Sequence, residues 1–93
     1  MSKVLYVYDC INSRQHNARR VAFTKELYGY DYRWKTREGI KTKHKPGLLE
    51  MCSGCEILTD SAILVPKMES AVFDDLFERY REILHMRKFE VIE

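Results

Sequence analysis

The chain has 93 residues, 45% of them hydrophobic, and carries a formal net charge of +2. This length is typical of one domain, so we treat residues 1–93 as a single domain that can bury its own core. The longest apolar runs span about five residues, whereas roughly 20 are needed to cross a bilayer. Without such a run or a secretory signal before the first strand, the sequence predicts a cytoplasmic protein with no membrane partner.

The N-terminal run "KVLYVYD" alternates β-branched and aromatic residues and predicts a buried first strand that ends at Asp9. A first helix is expected to follow at once, with Asn12 as its N-cap and Gln15 completing a capping box. Gly29 can adopt the left-handed conformation that ends a helix. The apolar face of this helix is assigned to Ala18, Val21, Ala22 and Tyr28.

Residues 30–45, "YDYRWKTREGIKTKHK", predict a β-hairpin that turns at Glu38-Gly39. Side chains alternate along a strand, so the aromatic residues face one way and the cations the other. We expect the aromatic face to pack on the core of the domain and the cationic face to meet solvent or a partner. The six cations assigned to that one face are Arg33, Lys35, Arg37, Lys41, Lys43 and Lys45.

Past this hairpin, "LLEMCSGCEIL" is interpreted as one helical turn, a Ser-Gly turn and a brief extended piece. "SAILVP" predicts a central strand that Pro66 ends. Apolar residues then recur at three- and four-residue steps over 69–84, which predicts a second long helix. That helix should bury Val72 or Phe73 together with Leu76, Phe77, Tyr80 and Leu84. "MRKFEVIE" predicts a final strand. This order of elements predicts an α+β fold, a ferredoxin-like βαββαβ sandwich with an inserted basic β-hairpin.

Charge is unevenly distributed along the chain. Residues 1–29 carry a net +3, residues 30–47 a net +4 and residues 48–93 a net −5. Clustered cations on one surface are what phosphate contacts require, so the pattern favours a nucleic-acid partner. The predicted contacts are the six hairpin cations together with Arg14, Arg19 and Arg20 of the first helix. Attraction between the two halves of the chain, or to a second copy, is the alternative explanation of this asymmetry.

Asp9 is the candidate catalytic residue, because it stands at the end of the first strand, just before a helix. Mg²⁺ binds few carboxylates and keeps several waters, so two copies of Asp9 brought together in a dimer would suit phosphodiester hydrolysis. A structural role for Asp9, capping or turning the chain before the helix, is the alternative.

Tyr8-Asp9, Arg14, Arg19, Leu27 and Tyr28-Gly29 follow the pattern of a known family. Over the first strand and helix, the chain resembles the small CRISPR-associated endonuclease family. The resemblance implies a ferredoxin-like homodimer in which Asp9 is the metal-binding residue. The chain departs from the family after Gly29, where the basic hairpin is inserted.

The three cysteines are Cys10, Cys52 and Cys55, and the last two form a Cys-x-x-Cys pair. A structural zinc site needs four ligands, and the sequence has no second Cys-x-x-Cys or spaced histidine pair, so zinc is not expected. Packed thiols or a local disulfide are the simpler interpretations.

The leading hypothesis is therefore a small nucleic-acid-binding protein that uses its basic hairpin and basic first helix. One alternative is a metal-dependent phosphodiesterase with Asp9 paired across a dimer. Another is an assembly protein that docks onto an acidic partner. The sequence does not distinguish DNA from RNA, or single strands from duplexes.

Overall fold

The computed structural model describes residues 2–11 and 14–92. In chain order these form β1 (Ser2–Cys10), α1 (Asn17–Tyr28), β2 (Gly29–Thr36), β3 (Gly39–Pro46), α2 (Leu48–Met51), β4 (Glu56–Thr59), β5 (Ala62–Pro66), α3 (Ser70–Arg79) and β6 (Leu84–Ile92). Short 3₁₀ turns at Lys67–Glu69 and Arg81–Ile83 flank α3. The predicted α+β class is confirmed. Within the described ranges, no helix is long and apolar enough to span a membrane.

The main sheet has the strand order β4-β5-β1-β6, and every neighbouring pair is antiparallel. The prediction that "SAILVP" forms a central strand is confirmed, because β5 lies between β4 and β1. In the described part of the chain, strands β2 and β3 pair only with each other and form a separate two-stranded ribbon.

The core lies on one face of the main sheet. Alternation along β1 turns Val4, Tyr6 and Tyr8 inward, where they are buried. The Phe77 ring of α3 lies between the Tyr6 and Tyr8 rings, with centroids 5.0 and 5.3 Å away, and 5.7 Å from the Phe23 ring of α1. This aromatic cluster joins both long helices to the central strand.

Helix α1 starts later than predicted. Its N-cap position is His16, and the expected cap, Asn12, lies outside the described residues. The backbone N–H of Ile11 donates to the carbonyl of Ile83 at 2.8 Å, so strand-like pairing continues past β1 and delays the helix. The buried face is confirmed only in part: Ala22 and Tyr28 pack against the core, but Phe23 and Leu27 are the buried residues and Ala18 is exposed. Large apolar side chains gain more from burial than alanine does.

Helix α3 ends at Arg79, not near residue 84 as predicted. Leu84 is buried as expected, but it belongs to β6 and pairs with Cys10 of β1. The pairing of β6 with β1 therefore places Leu84 in a strand, although the spacing of apolar residues is still helical at that position. Of the two alternatives for the buried position, Phe73 is buried and Val72 is half exposed.

The segment between the ribbon and β5 follows its prediction: α2 is one helical turn, a turn follows, and β4 is brief. Cys52 and Cys55 form a disulfide across that turn, while Cys10 is a free thiol.

The ribbon was predicted in the wrong register. Its loop is Arg37-Glu38, and Thr36 pairs with Gly39. The Thr36 hydroxyl donates to the Gly39 carbonyl at 2.9 Å and accepts from the Glu38 backbone N–H at 3.2 Å, which stabilises this loop. A two-residue loop pairs even-numbered residues with odd-numbered ones, so the even-numbered aromatic residues lie opposite the odd-numbered lysines of the return strand. The predicted separation of the two faces would have required a loop with an odd number of residues.

Candidate functional site

One face of the ribbon combines aromatic and cationic side chains. The register places Lys45 opposite Tyr30, Lys43 opposite Tyr32 and Lys41 opposite Trp34. Residues directly opposite in an antiparallel pair share a face, with Cβ atoms about 5 Å apart. We call this the ladder face: Tyr30, Tyr32, Trp34, Lys41, Lys43 and Lys45. The predicted segregation of six cations onto a face without aromatics is thus wrong.

The ladder face is open to solvent. The exposed fraction is 40% for Tyr32 and 42% for Trp34, so the expectation that these rings pack on the core is wrong. The rings follow one another along the strand, with centroids 6.1 Å apart for Tyr30 and Tyr32 and 5.6 Å apart for Tyr32 and Trp34. These rings do not pack on the core because β2 and β3 form a sheet of their own, separate from the main sheet that covers the core.

Cations on the ribbon and on the body differ in their partners. On the body, Lys67 pairs with Glu90 at 2.8 Å, and Lys88 pairs with Asp74 at 3.0 Å. Among the described residues, no ion pair is found for Lys43 or Lys45, and Lys41 reaches Glu38 only at 4.0 Å. Several acidic residues of the C-terminal half are therefore engaged by body cations, while Lys43 and Lys45 stay available to an external anion.

The opposite face of the ribbon carries Asp31, Arg33, Lys35, Ile40, Thr42 and His44. Its cations, Arg33 and Lys35, extend from the side of the ribbon opposite the ladder face. Arg37 lies in the loop at the tip. The six hairpin cations are therefore split between two faces and the tip.

His44 fastens the opposite face to α2. Its Nδ1 lies 2.6 Å from an oxygen of Asp31, and its Nε2 lies 2.8 Å from both oxygens of Glu50. Hydrogen bonds with Asp31, and secondly with Glu50, raise the pKa of His44 above its ordinary value. The same contact with His44, helped by the Gly47 N–H, lowers the pKa of the Glu50 carboxyl. A charged clamp thus orients the ribbon.

This clamp predicts a measurable titration. Because the pKa of His44 is raised by folding, its contribution to stability is complete below the ordinary histidine value of about 6.5 and is lost as pH rises through the raised value. In a ¹H–¹³C NMR titration, Asp31→Asn should lower the His44 pKa more than Glu50→Gln does, since Asp31 is the larger cause. An unchanged His44 pKa in both variants would contradict the clamp.

Lys25 of α1 was not identified from the sequence. Its Nζ lies 4.7 Å from the centroid of the Tyr30 ring, within the range of a cation–π contact. Lys25, Tyr30 and Lys45 line a groove of about 490 Å³ at the base of the ribbon, bordered by α2. Only the junction of α1 and β2 brings Lys25 to this place, and no sequence period indicates it. The ladder face therefore continues onto the body.

The arginines of α1 do not join the ladder face. Arg19 donates to Glu82 at 2.8 Å and to the Arg79 carbonyl at 2.7 Å, and its guanidinium lies 4.2 Å from the centroid of the Tyr80 ring. Arg19 thus fastens α1 to the end of α3. Arg14 precedes α1 and Arg20 lies in its first turn, whereas the ribbon begins after the last residue of the helix, which is about 18 Å long at 1.5 Å per residue. The structure separates the two predicted basic regions.

Asp9 is exposed at the end of β1 and lines a second groove, of about 810 Å³. Arg14, Arg20 and Asp60 line the same groove. The sequence did not identify Asp60, because only the pairing of β5 with β1 brings the loop before β5 beside Asp9. Within the described residues, no group of three or more metal-ligating side chains is found. Two carboxylates in one groove nevertheless fit Mg²⁺, which takes one or two of them and keeps several waters.

Comparison with family models, curated proteins and solved structures finds no match to this chain.

Proposed function

We propose that this protein binds nucleic acid on the ladder face of its ribbon. The carrying observation is the register, which places a lysine opposite each aromatic residue on a solvent-exposed surface. Lysines contact phosphates, and exposed aromatic rings offer stacking surfaces to bases. Lys25 extends this surface onto the body.

The local charge supports this proposal over the alternative that the basic and acidic halves of the chain simply attract one another. Residues 30–47 carry a net +4, and among the described residues no ion pair joins a ladder lysine to the acidic C-terminal half. A projecting ribbon also reaches a partner with few steric restrictions from the body. Docking onto an acidic protein would use the lysines but not the row of aromatic rings.

The test is binding of fluorescently labelled oligonucleotides as a function of salt. Removing three phosphate contacts with Lys41/Lys43/Lys45→Ala should lower the slope of log K against log salt by about 2 to 3 and weaken binding at every salt concentration. The matched control, Lys67/Arg81/Lys88→Ala, removes the same charge from the body and should keep the slope. Equal losses in both variants would show a non-specific effect of net charge and contradict the ladder-face site.

A second candidate function is metal-dependent phosphodiester cleavage. The observation that favours it is the groove that holds Asp9 and Asp60 beside Arg14 and Arg20. In this candidate, Asp9 and Asp60 hold Mg²⁺, and the arginines bind the substrate phosphate. Mg²⁺-dependent cleavage that disappears in Asp9→Asn would support it, whereas binding that survives Asp9→Asn without any cleavage supports the ladder face alone.

We also propose that the main sheet with α1 and α3 is a ferredoxin-like domain and that the ribbon and α2 are an insertion in it. The antiparallel order β4-β5-β1-β6 supports this, because each β–helix–β connection leaves room for one strand between its ends. The homodimer and the cytoplasmic location remain predictions.

A further inference from the structure

We propose that the ladder face takes a single strand of nucleic acid, with bases stacked on its rings and phosphates along its lysines. This inference rests on the proposed function and names the form of nucleic acid that the site accepts. The first supporting observation is that the rings of Tyr32 and Trp34 are exposed. A duplex would not stack its bases on these rings. In a duplex the base faces are already stacked on one another, whereas single strands present theirs to aromatic side chains.

Regular spacing supports the inference. Alternate residues on one strand lie about 6.6 Å apart, so the three rings form a row, with centroid separations of 6.1 and 5.6 Å and a lysine opposite each ring. Bases and phosphates also alternate regularly along a single strand. The antiparallel pairing of β2 and β3 holds the rings and lysines in place before binding, which reduces the ordering cost of the complex.

The path of a strand continues past the ribbon. Trp34 lies near the tip, Tyr32 in the middle and Tyr30 at the base, where Lys25 covers one side of its ring at 4.7 Å. The groove beyond Tyr30 is lined by Lys25 and Lys45. A strand on the ladder face is thus led from the tip of the ribbon to the groove beside α2.

A two-stranded ribbon can also enter the major groove of a duplex, and that mode would use both of its faces. The two modes therefore differ in how much they depend on the opposite face. Lys41/Lys43→Ala and Arg33/Lys35→Ala remove two cations each, one pair from each face, and form a matched comparison. A strand on the ladder face requires the first pair only.

The experiment uses the full chain and one mixed-sequence oligonucleotide as single-stranded DNA, single-stranded RNA and the two corresponding duplexes. Trp34 is the only tryptophan, so its emission reports stacking at the site directly. We expect quenching by one or both single strands, tighter binding of single strands than of duplexes, and a stronger loss for Lys41/Lys43→Ala than for Arg33/Lys35→Ala. Tyr32→Ala should weaken single-strand binding by about 10-fold and change duplex binding little. The DNA and RNA arms decide which strand is preferred.

Two results would overturn the inference, and they differ from failure of the proposed function. Duplexes that bind as tightly as single strands, with unchanged Trp34 emission and equal losses from both lysine and arginine pairs, would indicate groove insertion. If Tyr32→Ala destabilises the ribbon but leaves the affinity for single strands unchanged, the rings have a purely structural role. If none of the four nucleic acids binds at low salt, the proposed function itself fails.

Discussion

Gly47→Ala is expected to lower the free energy of unfolding by about 3 kcal/mol and to disturb the attachment of the ribbon. Gly47 is buried where the chain leaves the ribbon, against the end of α1. A Cβ at this position would lie 2.5 Å from the carbonyl carbon of Tyr28 and 2.6 Å from the carbonyl oxygen of Leu27. Both are backbone atoms, so the clash is relieved only if the helix end and the ribbon move apart.

Chemical denaturation measures this effect, with Gly39→Ala as the matched control. A Cβ at Gly39 meets nothing within 4 Å, and the only cost there comes from its φ of +124°. We expect Gly39→Ala to cost about 1 kcal/mol. Under the proposed function, Gly47→Ala should also weaken the binding of nucleic acid, because the ladder face would lose its fixed orientation to Lys25. Equal, small effects of the two substitutions would contradict the close backbone approach.

Phe77→Ala is expected to destabilise the protein by about 3 to 5 kcal/mol. Phe77 is buried and its ring contacts those of Tyr6, Tyr8 and Phe23. Aromatic pairs add to the cavity cost, and the substitution leaves a void between the sheet and both long helices. Since a domain has only about 5 to 15 kcal/mol of stability, the variant should unfold at a much lower temperature.

Calorimetry or thermal unfolding followed by circular dichroism checks this prediction. Val72→Ala provides the control, because Val72 is on the same helix but half exposed, and its truncation should cost about 0.5 kcal/mol or less. Comparable losses in the two variants would contradict the assigned orientation of α3. Phe77→Leu should recover much of the stability because it refills most of the cavity.

The elements themselves were largely predictable because their local signals are strong. β-branched and aromatic alternation indicated β1, the run before Pro66 indicated β5, and three- and four-residue spacing indicated α3. Their ends were less predictable. Leu84 continues the helical spacing, yet pairing with Cys10 places it in β6, and pairing is a long-range interaction that a local pattern does not contain.

The candidate site divides in the same way. Positive charge between residues 30 and 47 is a property of composition, and it was visible without coordinates. The sequence does not show which of the individual cations are free to bind an external anion, because Arg19 and Lys43 are both simply basic residues in it. Arg19 meets Glu82, the Arg79 carbonyl and the Tyr80 ring only because α1 and α3 pack side by side. The presence of Asp9 and Asp60 in one groove likewise depends on the pairing of β1 with β5.

The sequence by itself determined that this protein has an α+β fold with a basic, aromatic-rich hairpin at residues 30–45. The tertiary structure decided that the hairpin stands apart from the main sheet and that its lysines lie beside its aromatic rings. The physical reason is the two-residue period of a strand: a loop of two residues pairs even-numbered residues with odd-numbered ones, which places the return-strand lysines on the aromatic face. Hydrogen bonds of the Thr36 side chain and the close approach of Gly29 and Gly47 stabilise the observed register, and both depend on three-dimensional contacts.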